Sequence, residues 1–287
     1  MKFPAPVALA QAVPQLPTGQ GWWFEPKFDG HRMVLWRQDD GIRLQSRSGR
    51  DVTDAWMDLA RAARDLPAVT VLDGEAIVYV SGAVDFGAAQ ARAASNPLRA
   101  VKLAAQWPAS FAAWDILVHP ELGDVRSRPY ETRRALLLGV LQELGPPLQA
   151  VPATDDRATA LLWYEALRPQ GVEGLVAKHA SSPYRAGRIW KKLRHADTVD
   201  AEVVGYTGRP SRPRALAVRL PDGRTALSQP VSAQIAAQAA AQLTGSPPVR
   251  RAQTDTGAVY EAVEPGLLVE VLAGTTRHSV VTVTRLR

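Results

Sequence analysis

The spacing of apolar residues divides the chain into strands and helices from about residue 21 onward. Predicted strands cover 21–28, 32–37, 42–47, 69–80, 111–118 and 172–179, and predicted helices cover 53–66, 131–144 and 157–167. Asp39-Asp40-Gly41 predicts a hairpin turn between two of these strands, because Asp-Gly favours a tight turn. Pro67 and Gly145-Pro146-Pro147 end two of the helices, since proline cannot continue them. The pattern predicts a protein of the α+β class.

The pattern changes near residues 196–200. No lysine follows Lys192, and short strands separated by turn signals take over. We therefore expect two domains, over residues 1–196 and 197–287. The second domain has predicted strands at 201–206, 215–220, 225–227, 259–263, 266–272 and 280–286, with a helix at 233–243. Short strands with one interposed helix are typical of the small β-barrel called the OB-fold, which binds oligonucleotides.

The composition of the chain excludes some kinds of functional site and favours others. The 287 residues carry a net charge of +6, mostly from arginine, which suits bidentate contact with phosphates. A polyanionic partner fits this charge, and so does a basic solvated surface. The absence of cysteine excludes disulfides, thiolate zinc sites and a cysteine nucleophile. Prolines interrupt the apolar N-terminal stretch, and no run approaches the roughly 20 apolar residues of a membrane span, so we expect an intracellular protein with no membrane partner.

The segment EPKFDGHR, residues 25–32, predicts a covalent nucleotidyl-transfer site. Lys27 can attack an α-phosphate only as a neutral amine, and desolvation with nearby cations such as Arg32 lowers the pKa of a lysine. Asp29 can orient the amine or a metal, and Gly30 lets the backbone approach a ligand or turn tightly. Read alone, the segment also fits the edge of a hairpin with solvated charges.

Two acidic residues follow at the ends of apolar strands. Glu75 lies in LDGE and Glu173 in EGLVAK. Two such carboxylates suffice for a magnesium-type cation beside a triphosphate, because this cation keeps several water ligands. Each acid alone also fits a surface charge at the end of a strand.

Three further segments could contact a nucleotide. In WKKLR, Lys192 and Arg194 can neutralise phosphate charge in a transition state, although such a run alone is usually a solvated face. In FAAWDIL, Trp114 can stack on a purine, although core packing is the commoner use. In SRSGRDVT, Arg50 suits a ribose or phosphate contact, although a surface turn explains the loop equally well.

In their order, these segments resemble the motifs of the covalent nucleotidyltransferase superfamily, and specifically of bacterial ATP-dependent DNA ligases. The resemblance covers residues 16–194 and rests on six motifs: EPKFDGHR, SRSGRDVT, LDGE, FAAWDIL, EGLVAK and WKKLR. It implies an adenylation domain of antiparallel sheets flanked by helices, followed by an OB-fold. Arg194 stands where the family usually has lysine. Arg277, Arg285 and Arg287 are reminiscent of the family's basic C-terminal motif, but without its acid.

The resemblance assigns roles residue by residue. It makes Lys27 the adenylated nucleophile, with Asp29, Arg32 and Lys192 completing the catalytic set. The implied nucleotide contacts are Glu25 at the adenine end, Arg32 and Arg50 at the sugar and phosphates, Trp114 on the purine, and Lys192 with Arg194 at the α-phosphate. Glu75 and Glu173 become ligands of Mg²⁺ or Mn²⁺ and contacts of the sugar. Arg209, Arg212 and Arg214 would contact DNA.

The implied function is sealing of nicked or broken double-stranded DNA with ATP, in repair, recombination or replication. We expect a monomer in the bacterial cytoplasm, associated with the nucleoid, with the Ku end-binding protein as a possible partner. An RNA ligase or a GTP-using capping enzyme shares the lysine and both acids, so these alternatives stay open. The remaining alternative is a non-catalytic nucleic-acid-binding module.

Overall fold

A computed structural model gives the fold of the chain and describes residues 1–244, 250–274 and 281–287. It divides into two compact units, Met1–Arg194 and His195–Arg287. None of the helices in these ranges has the length and apolar character of a membrane-crossing segment.

Unit 1 combines strands and short helices. Its strands are β1 (Ala8–Ala12), β2 (Trp22–Phe28), β3 (His31–Gln38), β4 (Gly41–Ser46), β5 (Thr70–Val80), β6 (Ala83–Val84), β7 (Ala109–His119), β8 (Gly123–Asp124), β9 (Leu148–Ala150), β10 (Val172–His179) and β11 (Gly187–Arg194). Its helices are α1 (Met57–Ala62), α2 (Phe86–Ala93), α3 (Pro97–Gln106), α4 (Tyr130–Leu141) and α5 (Arg157–Ala166), with 3₁₀ turns at Thr53–Trp56, Ala63–Asp65 and Arg168–Gln170.

The strands of unit 1 form two sheets. The first sheet has the order β1-β11-β10-β2, and the second sheet has the order β4-β3-β5-β7-β8, with β6 on β5 and β9 on β7. Most pairs are antiparallel, whereas β1 pairs with β11 and β9 with β7 in parallel. A layer that includes Val34, Trp36 and Trp190 joins the sheets, and Met33, Leu35 and neighbouring residues pack against the helices on the other side. The second sheet is therefore covered on both faces.

The hydrophobic pattern predicted most of these elements. The hairpin, the strands near 70–80, 109–119 and 172–179, and the helices at α4 and α5 are confirmed. The single helix expected over 53–66 is instead α1 between two 3₁₀ turns. The prediction missed β1, β11 and the helix pair α2–α3. Asp85 and Asn96 cap α2 and α3 through their side chains, so a helix start signal was present at both.

The described residues of unit 2 form a third sheet and one helix. Its strands are β12 (Ala196–Arg209), β13 (Arg212–Arg219), β14 (Thr225–Leu227), β15 (Arg250–Gln253), β16 (Val259–Gly274) and β17 (Val281–Leu286), and α6 spans Ala233–Leu243. The order is β14-β13-β12-β16-β15, with β17 on β16. A bridge from Ser228 to Val281 links the residue after β14 to β17. Strand pairing therefore runs from β14 through β13, β12, β16 and β17 and closes next to β14.

Two details of unit 2 differ from the prediction. The strands expected at 259–263 and 266–272 are one strand, β16. Its pairing with β12 jumps from Gly205–Ala262 to Val203–Leu267, so Pro265 and Gly266 mark an irregularity within the strand and not a turn. The strand expected from residue 280 is described from Val281, and Arg277 lies outside the described residues.

Candidate active site

The first sheet brings charged residues of two motifs onto one face. Lys27, Gly174 and Arg194 lie side by side across β2, β10 and β11. Glu25 and Lys192 both pair with Val176 in the neighbouring row. Because side chains alternate along a strand, residues spaced by two point to the same side. The spacings of Glu25 to Lys27 and of Lys192 to Arg194 thus place four charged side chains on one surface.

Glu173 connects the predicted nucleophile to a second cation. Its Oε2 forms an ion pair with the Nζ of Lys27, and its Oε1 accepts from Nε of Arg194 at 2.7 Å. Glu173 is almost fully buried, whereas Lys27 and Arg194 are partly exposed. The carboxylate therefore holds two cations at the end of β10.

Gly174 allows this arrangement. It has φ of 151°, and a Cβ there would overlap the carbonyl oxygen of Leu193 and lie 2.8 Å from the Cα of Arg194. Glycine is thus required for the close approach of β10 and β11 beside Glu173.

The pKa of Lys192 is lowered. Burial, followed by the positive charges of Arg194 and Lys27, lowers its pKa to about 8, against the opposing charge of Glu173. Lys192 therefore loses its charge as the pH rises through about 8.

Glu75 lies on the second sheet, and the charge of Lys27 in the same cluster affects its pKa. Burial raises the pKa of its carboxyl to about 7, although Lys27 and Arg32 oppose that change. Its Oε1 accepts from the backbone N–H of Gly30 at 3.2 Å. A Cβ at Gly30 would overlap the carbonyl oxygen of Ala76, so this glycine serves the approach of a neighbouring strand.

Arg32 is paired with a buried acid on the second sheet. Its Nε and Nη2 donate to the two oxygens of Asp73 at 2.7 and 2.6 Å. Burial opposes the charged form, but Asp73 outweighs burial and raises the pKa of Arg32. Tyr184 donates to Asp73 at 2.7 Å, and Arg32 also donates to the carbonyl of Ala8. Arg32 thus ties the two sheets together, and its contact with a nucleotide stays a prediction.

Glu25 is the centre of a buried polar group. It is 2% exposed and accepts from the hydroxyl of Tyr130 at 2.5 Å. Lys178 contacts both of its oxygens, at 3.0 and 2.8 Å, and donates to the carbonyl of Trp114 at 2.9 Å. Burial lowers the pKa of Lys178, and Glu25 opposes that change.

The other predicted residues lie around this cluster. The Trp114 ring faces the guanidinium of Arg32 at 4.6 Å, so it packs within unit 1. Asp29 lies near enough to Glu75 to raise its pKa. Arg50 is exposed, and its backbone closes the loop with Ser46. The predicted roles of all these residues in binding and catalysis stay predictions.

Sequence reasoning missed Lys178, Tyr130 and Asp73. Lys178 stands in an apolar run that predicts a buried strand, and a charge in such a run signals a buried partner. Asp73 precedes Glu75 in LDGE, but its contact with Arg32 is known only from the structure. Tyr130 carried no comparable signal.

The donor set fits a hard divalent cation only in part. Among the described residues, no group of three or more acidic, histidine or cysteine side chains could hold a metal. Glu75 offers a carboxylate, whereas Glu173 is already engaged by Lys27 and Arg194. One or two carboxylates with water and phosphate oxygens are nevertheless the usual ligands of Mg²⁺.

Comparison with known sequences identifies one family. The family described as "ATP dependent DNA ligase domain" matches residues 7–194. DNA ligase C2 of Mycolicibacterium smegmatis is 36% identical over 205 residues, which cover 71% of this chain and 57% of that protein. The chain therefore spans little more than half the length of this relative.

Two solved structures match the fold of nearly the whole chain. The ligase domain of M. tuberculosis LigD has a TM-score of 0.57 and 27% identity, covering 99% of this chain and 94% of that one. A mycobacterial DNA ligase D complexed with ATP and MES has a TM-score of 0.52 and 25% identity, covering 98% and 94%. These matches support the ligase nucleotidyltransferase fold.

Proposed function

The chain belongs to the ATP-dependent DNA ligase domain family, and from that premise we propose that it seals breaks in DNA through a lysine–adenylate. The observation that carries the proposal is the cluster around Lys27. There Glu173 pairs with both Lys27 and Arg194, and the charge of Lys27 affects the pKa of Glu75 and that of Lys192.

In the first proposed step, neutral Lys27 attacks the α-phosphate of ATP and pyrophosphate leaves. Lys27 reacts as the neutral amine, because its proton passes to the solvent to which the side chain is partly exposed, and it exchanges its contact with Glu173 for the phosphate. Lys192 and Arg194 lie on the same face of the first sheet, so they can neutralise charge on the phosphate during attack. The product is an adenylyl-lysine that keeps a high-energy bond for the next step.

The later proposed steps use the same cleft. A DNA 5′-phosphate attacks the adenylate and releases Lys27, and the neighbouring 3′-hydroxyl then displaces AMP. Each step is an in-line displacement at phosphorus, so positioning and charge neutralisation supply most of the catalysis. The same cations therefore serve all three steps.

Mg²⁺ or Mn²⁺ belongs to the proposal as a bound ion. Glu75 is the better placed ligand, and Glu173 would join it after releasing one of its cations. A bound cation would neutralise phosphate charge. Removal of divalent ions with a chelator should stop label transfer.

Unit 2 is proposed to be an OB-fold that contacts DNA. The closed path of strand pairing and the helix α6 support this assignment. In the described part of unit 2, the arginines without a carboxylate partner are Arg209, Arg212, Arg214 and Arg250, whereas Arg219, Arg224, Arg251, Arg285 and Arg287 are paired. The three arginines predicted to contact DNA are thus among those free to bind phosphates.

Replacing Arg209 and Arg212 together with glutamine should weaken binding to nicked DNA and make it less sensitive to salt. These residues face each other across the β12–β13 hairpin. Each lost phosphate contact should reduce the slope of log K against log salt by about 0.9. Titration by fluorescence anisotropy at several salt concentrations measures both effects.

The matched control replaces Arg219 and Arg224 with glutamine. It removes the same formal charge, but both arginines already pair with acids. Its salt slope should stay near that of the wild type. Equal slopes for the two double variants would contradict the proposed contact.

The rate of label transfer should rise with pH around neutrality and fall again at alkaline pH. Label transfer should rise through about pH 7, because Glu75 loses its proton there and becomes an anionic ligand. It should fall above about pH 8, because Lys192 loses its positive charge. Single-turnover labelling across this range gives the profile.

Lys192→Arg is the control for the alkaline limb, because arginine stays charged. Its profile should lose the fall above about pH 8 and keep the rise near pH 7. A fall at the same pH in this variant would assign it to another group.

One experiment tests the whole proposal. The protein is incubated with ATP, Mg²⁺ and a nicked DNA duplex, and both protein label and sealed strand are measured. Sealing of DNA supports the proposal, whereas label from GTP or sealing only of RNA would favour the related enzymes. DNA binding without any label would indicate a non-catalytic module. The Ku partner, monomeric state and nucleoid association stay predictions.

A further inference from the structure

Tyr184 closes a ring of hydrogen bonds around Arg32. Its hydroxyl donates to Oδ2 of Asp73 at 2.7 Å and accepts from the backbone N–H of Ala8 at 3.1 Å. The same oxygen of Asp73 accepts from Nη2 of Arg32 at 2.6 Å, and this Nη2 also donates to the carbonyl of Ala8 at 3.1 Å. The ring joins β1, β3 and β5 to the loop over residues 180–186, so that each member is held by two others.

Tyr184 is itself anchored in this loop. Its backbone N–H donates to the carbonyl of Arg126 at 2.7 Å, and its buried ring packs edge-on against Trp190 with the centroids 5.9 Å apart. Burial, followed by the negative charge of Asp73, raises the pKa of the Tyr184 hydroxyl. The hydroxyl therefore keeps its proton at neutral pH and remains a donor to Asp73.

The guanidinium of Arg32 is fixed in one plane. Its Nε donates to the second oxygen of Asp73 at 2.7 Å, which makes the contact bidentate. Its central carbon lies 4.6 Å from the centroid of the Trp114 ring and 5.6 Å from that of Trp190. The donors of Nη1 make no hydrogen bond within the described part of the chain, and the side chain is 14% exposed. Arg32 thus presents one amino group in a set orientation.

Arg32 lies beside the candidate active site. Burial raises the pKa of Glu75, and the positive charges of Lys27 and Arg32 both oppose that change, so both cations are close to this carboxyl. In the proposed reaction a nucleotide occupies this cluster, and its sugar and phosphate oxygens accept hydrogen bonds. A guanidinium held in one plane directs its remaining donors at a single position.

We propose that Tyr184 is a positioning residue for Arg32: it holds the guanidinium so that Nη1 donates to an oxygen of the bound nucleotide. It acts through Asp73 and the backbone of Ala8. This inference rests on the proposed function, in which Arg32 contacts the nucleotide. Without the hydroxyl, the guanidinium is held less firmly and must be ordered when the nucleotide binds, which weakens binding.

Tyr184→Phe tests this role, because it keeps the ring against Trp190 and removes only the hydroxyl. Label transfer from α-labelled ATP is measured across a range of ATP concentrations, with Mg²⁺ present. We expect the KM for ATP to rise by about tenfold, as for loss of a hydrogen bond to a charged group, while the maximal rate changes much less. A loss of folded protein would instead lower the labelled fraction and leave KM unchanged.

A double-mutant cycle shows whether Tyr184 acts through Arg32. Arg32→Lys keeps the charge but loses the planar fork of donors, so it should raise KM by itself. Adding Tyr184→Phe to Arg32→Lys should then change KM little, because the group that Tyr184 positions is already gone. If the two factors multiply in the double variant, Tyr184 acts by another route and the inference is overturned.

Asp58→Asn is the matched control. The two oxygens of Asp58 accept from Arg92 at 2.5 and 2.7 Å, as those of Asp73 do from Arg32, but this pair lies among the helices. The variant should lower the temperature of thermal unfolding and keep the wild-type KM. Asp73→Asn keeps the shape of the acid and weakens its hold on Arg32, so it should raise KM even if Tyr184→Phe fails to fold.

An unchanged KM in Tyr184→Phe, or in Asp73→Asn if the first variant does not fold, would overturn the inference and leave the proposed function intact. An equal rise of KM in Asp58→Asn would do the same, because KM would then report lost stability. Absence of label from ATP on the wild-type protein would overturn the proposed function, and this inference with it.

Discussion

Lys27→Ala should abolish transfer of label from α-labelled ATP to the protein. Lys27 is the predicted nucleophile, and it pairs with Glu173, the carboxylate that also holds Arg194 of β11. Loss of a covalent nucleophile removes the intermediate itself and not only part of its stabilisation. The measurement is protein-bound label after denaturing electrophoresis.

Lys102→Ala is the matched control, because Lys102 is exposed on α3. It should accept label at the wild-type rate. Thermal unfolding of both variants tests whether the loss of labelling reflects loss of the fold. Persistent label on a folded Lys27→Ala protein would assign the nucleophile to another residue.

Gly174→Ala should reduce label transfer by about 100-fold or more, the scale of effect that a misplacement near 1 Å produces. The added methyl would overlap Leu193 and crowd Arg194, and the residue has φ of 151°, which is strained for alanine. The strand β11 must therefore shift away from β10. Glu173, Lys192 and Arg194 would move with these strands.

Gly139→Ala provides the control for this substitution. Gly139 lies in α4, and a Cβ there meets no atom within 4 Å. Alanine should be neutral or stabilise the helix by up to about 1 kcal/mol. Label transfer and thermal unfolding are measured for both variants. Wild-type labelling by Gly174→Ala would show that the register of β10 and β11 does not limit the reaction.

Much of the fold could be predicted because its signals are local. Asp39-Asp40-Gly41 fixes a hairpin, and proline ends the predicted helices. These local sequence signals failed where the pairing of strands determined the structure. One strand was predicted to end at residue 263 and the next to begin at residue 266, yet β16 is continuous, with an irregular step in its pairing with β12. The strand β1 was too short to show a pattern, and it is defined by its parallel pairing with β11.

The candidate site could be predicted as a set of residues but not as a set of contacts. Side-chain alternation alone places Lys192 with Arg194 on one face, and Glu25 with Lys27. The alternation of side chains within one strand does not show which acidic residue pairs with which basic residue on another strand. Arg32 pairs with Asp73, and Lys27 pairs with Glu173.

The sequence by itself determined the chemical groups, their order and the strands that carry them, because residue type and periodicity are local properties. Tertiary structure decided the partners. The ion pairs of Lys27, Arg32 and Lys178 each join residues distant along the chain, and a buried charge must find its partner in space. The acidity of Glu75 and Lys192 was likewise decided there, because burial and neighbouring charges set it.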